Sequence, residues 1–233
     1  MVAMFITVFG QKGGVAKTCT SVHIAAGLAS SYPSVVLVDA DRNRSASAYA
    51  ARGLLQFEVV PIEAAAKASR YADVIVTDGQ ASSSKEEIKN LVDGADVIIL
   101  PTAAQTRSLE LTLEMAEHLK GFNVPFAALL VKVDARKSQV AKKIRRQLEE
   151  ADIPVLKAQI PLLSAFEKAE NAGVTVDKAT ANSGKSDPRR MIGWHAYRVA
   201  CEEIKKLVPE RATIIPMQPI GWDTTLIEER IAA

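Results

Sequence analysis

Short apolar runs recur along the chain and alternate with segments whose apolar residues stand three or four apart. The runs "FITVF" (5–9), "VVLVD" (35–39), "FEVV" (57–60), "VIVTD" (74–78), "VIIL" (97–100), "FAALLV" (126–131) and "VLKAQI" (155–160) predict seven strands. Several show no polar alternation, which suits strands covered on both faces of a parallel sheet. Segments 18–30, 106–120 and 138–151 read as helices, and 190–207 carries helical spacing at Ile192, Tyr197, Cys201 and Ile204. Such alternation predicts an α/β fold: a doubly wound, mostly parallel sheet flanked by helices. In that architecture ligands sit at the carboxyl ends of the strands. Three predicted strands end there on chemically informative residues, in segment 10–18, at Asp39 and Asp41, and at Asp78.

Length sets the domain count. The 233 residues suit one domain, expected over 1–208, with 209–233 a tail packed on that domain or contacting a partner. "ANSGKSDPRR" (181–190) is the best internal loop. No run of about 18 apolar residues is present, and "MVAMFITVFG" reads as a first strand rather than a leader.

Charge and cysteine content narrow the picture further. With 29 basic and 27 acidic residues the chain is not coated in basic charge, although a local patch can still bind nucleic acid. Cys19 and Cys201 are far apart and form no C-x-x-C, which argues against a disulfide framework or a zinc site and for a reducing cytoplasm. His23, His118 and His195 lack metal-ligand spacing and read as structural, and Trp194 and Trp222 as core or tail anchors.

The chemistry concentrates in "FGQKGGVAKTCTS" (9–21), a glycine-rich turn between a strand and a helix opening at Thr18. Backbone N–H groups in such a turn, together with the helix N-terminus, cradle anionic oxygens. Gly13, Gly14, Val15, Ala16, Lys17, Thr18 and Cys19 form the candidate nucleotide-binding run. Lys17 is placed to reach the β- and γ-phosphates and the Thr18 hydroxyl to help hold Mg²⁺. Two positions break the usual phosphate-loop pattern: Gln11 and Ala16 stand where it has glycine. Lys12 is an extra lysine ahead of the glycine pair.

"KGGVAKT" closely resembles the deviant Walker A box, KGGxGK[ST], of the ParA/MinD superfamily of ATPases. The resemblance accommodates Gln11 and identifies Lys12 with the family's signature lysine. It implies an ATP-dependent homodimer in which Lys12 crosses to phosphates bound by the other subunit. Ala16 still departs from the family's glycine; it is tolerable at a helical φ and a source of crowding and slowed turnover at a positive one.

Downstream, "VVLVDADRNRSAS" resembles the family's D-x-D-P-Q-x-S segment, with Arg42 and Asn43 in place of Pro-Gln. This implies that Asp41 positions the attacking water and Asp39 supports the metal side. "ADVIVTDGQAS" is a strand ending in an acid, as in Walker B, with Asp78 the Mg²⁺-side carboxylate. Asp134 and Arg136 match a later D-x-R loop, and the turn at Gln159, Ile160 and Pro161 resembles the region lining the base. The resemblance runs from about residue 4 to residue 207 and implies ATP and Mg²⁺ as ligands.

Two basic clusters are candidate contacts to DNA: Lys142, Lys143, Arg145 and Arg146 on a predicted helix, and Lys185, Arg189 and Arg190 before the last one. Phosphate backbones bind such clusters without reading sequence. The expected function is a ParA-type ATPase, cytoplasmic and nucleoid-associated, resembling the short partition proteins that lack an N-terminal helix-turn-helix. It would partition or position a plasmid, chromosome region or protein assembly through ATP-dependent dimerisation and non-specific DNA binding. Hydrolysis, slow alone, would be stimulated by a ParB-like or cargo adaptor protein. The alternatives are a MinD-type membrane-positioning ATPase, disfavoured by the short, acidic-leaning "DTTLIEERIAA" end, and a non-hydrolysing nucleotide-bound adaptor. An iron–sulfur carrier of the same superfamily would need a cysteine pair that this chain lacks.

Overall fold

The computed structural model describes residues 3–10, 13–80, 85–181 and 183–209. All seven predicted strands form: β1 (Met4–Val8), β2 (Val35–Asp39), β3 (Glu58–Pro61), β4 (Val74–Asp78), β5 (Val97–Ala103), β6 (Phe126–Val133) and β7 (Val155–Pro161). They build one seven-stranded sheet in the order β3-β2-β4-β1-β5-β6-β7. Every pairing is parallel, so the sheet is wholly rather than mostly parallel. The apolar runs supply the reason. Val35 to Asp39 is buried at every position, as is Val97 to Ala103, because helices cover both faces.

The helices are α1 (Lys17–Leu28), α2 (Ser45–Ala50), α3 (Ala65–Ala68), α4 (Lys85–Asp93), α5 (Thr106–Leu119), α6 (Ser138–Glu150), α7 (Ser164–Ala172) and α8 (Arg190–Leu207). α1 is buried along most of its length and packs closely on α8. A Cβ on Gly27 would stand 2.6 Å from Cys201 Sγ, so only glycine permits that approach. α8 presents Gly193, Tyr197, Ala200, Cys201 and Ile204 inward. Ile192, grouped by spacing with that face, is instead exposed; the buried stripe begins one residue later, where Gly193 lies against Phe166. α6 is amphipathic, with Ala141, Ile144 and Leu148 buried and Lys142, Lys143 and Arg146 on the exposed side.

At the expected loop 181–190, Ser186 forms an antiparallel bridge to Thr180 and Arg190 already opens α8. The tail from 210 to 233 lies outside the described residues. No helix among the described residues is long and apolar enough to cross a membrane.

Candidate functional site

The order of the sheet brings the tips of β1, β2 and β4 side by side. Register pairs Val8 with Asp78 and Asp39 with Asp78, so the three candidate motifs meet at one edge. From β1 the chain turns through Gly13, Gly14 and Val15 into α1. Gly14 has φ 79° and Ala16 has φ 68°, both left-handed. Gly14 takes that conformation freely, whereas Ala16 brings a Cβ into it at a cost of about 1–2 kcal/mol. The condition under which Ala16 strains the loop is therefore met.

α1 opens at Lys17 with no side-chain cap and no acidic residue in its first turn. Its first N–H groups are left to an anion, which the helix dipole also favours. Val15 turns its side chain into the core, so it offers only backbone to a ligand. Lys17 is 7 % exposed; burial lowers its pKa, while Asp78 and Asp41 pull it back up. An ammonium held there gains strongly from a phosphate.

Asp78 is fully buried at the end of β4. Its Oδ1 accepts from Ser21 Oγ at 2.8 Å, while its Oδ2 has no hydrogen-bond partner among the described residues. Burial pushes its carboxyl up to about 6, against the pull of Thr18 and Ser21. A buried carboxylate with one orphaned oxygen, interacting with the Thr18 hydroxyl, suits a hard divalent cation. Asp78 and Thr18 would hold Mg²⁺ there, and the ion would offset phosphate charge. Gly79 follows under close packing, since a Cβ on it would stand 3.0 Å from the Val8 carbonyl oxygen.

Asp39, expected on the metal side, is held by hydrogen bonds. Its Oδ2 accepts from the Ser47 N–H at 2.8 Å and from Ser47 Oγ at 2.6 Å. Both of its oxygens are engaged, Oδ1 by the Asp41 N–H at 3.3 Å. Asp39 therefore caps the first turn of α2 and acts on the site through its charge beside Asp78. Asp41, by contrast, lines the cavity, with its Oδ1 accepting from the Asn43 N–H at 2.9 Å.

That cavity, of about 610 Å³, runs from Gly13, Gly14 and Ala16 past Lys17, Thr18 and Cys19 to Pro161 and the start of α7. Of the expected site residues, these and Asp41 are thus brought together. Lys12 and Gln11 lie outside the described residues. Asp134 and Arg136, matched to a D-x-R loop, pair with each other at 2.8 Å outside the cavity. Lys132, absent from the sequence-based site, lines the cavity and donates to the Gly14 carbonyl at 2.7 Å.

Behind α1, His23 stacks on Tyr197 with ring centroids 4.9 Å apart and meets Phe166 edge-on at 5.3 Å. Cys19 packs beside them, its thiol pushed up to about 12 by burial. No group of three or more His, Cys, Asp or Glu residues that could hold a metal ion occurs among the described residues.

The basic clusters divide. Lys142, Lys143 and Arg146 are exposed, as are Lys185 and Arg189. Arg145 is not available to a polymer in the same way, because its Nη2 donates to the Leu156 carbonyl at 2.7 Å and clamps α6 to β7. Arg190 is also committed, donating to the carbonyls of Asp177 at 2.9 Å and Asp187 at 3.1 Å. In both, long guanidinium side chains fold back onto carbonyls, a contact that the sequence does not reveal.

Residues 6–176 match the CobQ/CobB/MinD/ParA nucleotide binding domain. The chain is 30% identical over 198 residues to the "Maintenance of carboxysome distribution protein A" of Gloeobacter kilaueensis, covering 80% of this chain and 91% of that protein. The fold is similar to an ATP complex of Cyanothece McdA (TM-score 0.68, 12% identity, 90% of this chain and 98% of that one). It is also similar to a plasmid partition protein of Borrelia burgdorferi bound to AMPPNP (TM-score 0.65, 16% identity, 88% and 99%). On the match across most of its length, the chain belongs to the CobQ/CobB/MinD/ParA nucleotide-binding family.

Proposed function

We propose that this protein is a ParA-type ATPase that positions a cargo by cycling between an ATP-bound homodimer and a released state. One observation carries the reading: the glycine-rich turn, the buried Lys17, Thr18 and Asp41 line one cavity, and the buried Asp78 carboxylate, with its orphaned oxygen, interacts with Lys17 and Thr18 at its back. In this cycle Lys17 neutralises charge at the β- and γ-phosphates, and Thr18 and Asp78 hold Mg²⁺. Asp41 orients the attacking water, and Lys12 reaches the partner subunit's nucleotide.

The dimer then binds DNA without sequence preference through Lys142, Lys143 and Arg146, with Lys185 and Arg189 as a second contact. This places it on the nucleoid. An adaptor on the cargo stimulates hydrolysis and releases the dimer. The similarity to a protein named for carboxysome distribution favours a protein assembly as cargo over a plasmid or chromosome region. The tail from 209 onward serves as a docking segment on its own domain or on a partner.

The test is binding to an arbitrary-sequence duplex with ATP–Mg²⁺, with ADP–Mg²⁺ and without nucleotide, across a salt series. Binding with ATP alone that weakens with salt supports the proposal. Binding to anionic vesicles with ATP, in place of DNA, would favour a membrane-positioning ATPase.

A second reading draws on Ala16. Its φ of 68° places a strained residue directly before Lys17, which suits a nucleotide-bound adaptor that does not turn over. Phosphate release that stays absent with DNA and a cognate partner would favour it.

A further inference from the structure

Lys132 occupies a position that few lysines take. Its φ is 53°, in the left-handed region that glycine enters freely and a side chain with a Cβ does not. The β6–β7 ladder shifts register at the same place. Leu130 pairs with Gln159 and Val133 with Pro161, so three steps along β6 match two along β7. One extra residue in β6 is a bulge, a device that turns a side chain away from its regular direction. Pairing resumes immediately afterwards, with the Leu162 N–H on the Val133 carbonyl at 2.9 Å.

What the bulge accomplishes is visible at its other end. The exposed Lys132 side chain crosses the mouth of the nucleotide cavity, and its Nζ donates to the Gly14 carbonyl at 2.7 Å. Gly14 is itself left-handed, at φ 79°. A residue strained on one side of the cavity thus grips a turn of the phosphate loop on the other. Strain of this kind persists where the surroundings enforce it and is concentrated at functional sites.

We infer that Lys132 is a positioning residue for the nucleotide's phosphates, acting through the Gly14–Val15 peptide; this rests on the nucleotide site proposed above. In a trans peptide the N–H points opposite to the C=O, so the Val15 N–H points away from Lys132. An ammonium on the carbonyl draws electron density toward that oxygen and makes the linked N–H a stronger donor to an anion. It also fixes the turn before the ligand arrives and adds a cation at the rim of the cavity. Lys132 does this in cis, within the chain that binds the nucleotide.

The test combines titration of ADP–Mg²⁺ and ATP–Mg²⁺ with thermal unfolding of the ligand-free protein, for wild type, Lys132→Met, Lys132→Arg and Lys132→Gly. Lys132→Met is expected to weaken both nucleotides about tenfold, the scale of a charge-assisted hydrogen bond. Lys132→Arg is expected to recover most of that loss. Lys132→Gly separates positioning from fold support: relief of the left-handed strain raises the ligand-free Tm by about 2–4 °C while nucleotide affinity falls. Unchanged affinity in Lys132→Met and Lys132→Gly overturns the inference, as does a Tm that falls together with affinity in both. If wild type binds no nucleotide, the nucleotide site itself is wrong and the inference falls with it; Lys17→Ala is the non-binding control.

Discussion

His23, on α1, bonds through both ring nitrogens, one to Cys19 in the same helix and the other to Val176 in the turn before Ala179. The Val176 N–H donates to Nε2 at 3.0 Å, which requires Nε2 to be unprotonated, so Nδ1 carries the hydrogen and donates to the Cys19 carbonyl at 2.7 Å. Only the neutral ring satisfies both contacts, and burial lowers its pKa to about 4. The folded value lies below the unfolded one near 6.5, so this stabilisation is fully present above about pH 6.5. It is lost as pH falls toward 4, by roughly 3 kcal/mol in all. Urea midpoints at about pH 7 and pH 4.5 are expected to drop further for wild type than for His23→Gln, whose amide can donate and accept without titrating. Equal drops would show that His23 does not couple folding to pH.

Ala16 offers a direct gain. Replacing it with glycine removes a Cβ from a left-handed position and is expected to stabilise the protein by about 1 kcal/mol, or roughly 2–4 °C in Tm. Phosphate release is expected to rise in the same variant as the loop relaxes around Lys17. A lower Tm, with turnover unchanged, would mean that the alanine is accommodated without strain.

Asp78→Asn separates the ion from the fold. The substitution removes a buried carboxylate whose Oδ2 lacks a partner among the described residues, so the ligand-free protein is expected to gain stability in thermal unfolding. Nucleotide affinity in wild type is expected to fall when EDTA removes Mg²⁺, and in Asp78→Asn to be insensitive to it. A variant that still responds to Mg²⁺ would place the ion elsewhere.

The basic helix makes a prediction with two halves. Changing Lys142, Lys143 and Arg146 together to alanine is expected to lower the slope of log affinity for DNA against log salt by roughly 2–3, with stability unchanged. Arg145→Ala is expected to cost about 1–2 kcal/mol of stability through the lost contact to the Leu156 carbonyl, with little effect on that slope. Reversed outcomes would show that the two roles have been exchanged.

The strands were legible because a strand buried on both faces is written as an uninterrupted apolar run, as in "VVLVD". The phosphate loop was legible because its residues are contiguous and each has a local chemical role. Contacts that depend on distant backbone were not. That Ser47, eight residues on, occupies the Asp39 Oδ2 is not written in the sequence. Arg145 and Lys142 look alike in sequence, but Arg145 is half-buried and reaches a carbonyl of β7. Lys132 was hidden most completely, since a lysine inside "LLVKVD" reads as an ordinary exposed strand position. Only the bulge, the positive φ and the facing Gly14 carbonyl set it apart. The helical spacing that included Ile192 was misleading by one residue, because Gly193 provides no apolar side chain to mark where the buried face begins.

The central claim is that ATP at this site assembles the dimer, and sedimentation velocity tests it most directly. Asp41→Ala, which removes the carboxylate proposed to position the attacking water, is expected to sediment as a dimer with ATP–Mg²⁺ and as a monomer with ADP–Mg²⁺. Adding Lys12→Ala is expected to return the ATP-bound protein to monomer while leaving nucleotide affinity intact. A sedimentation coefficient that is the same with ATP and ADP, at saturating nucleotide, would contradict the account.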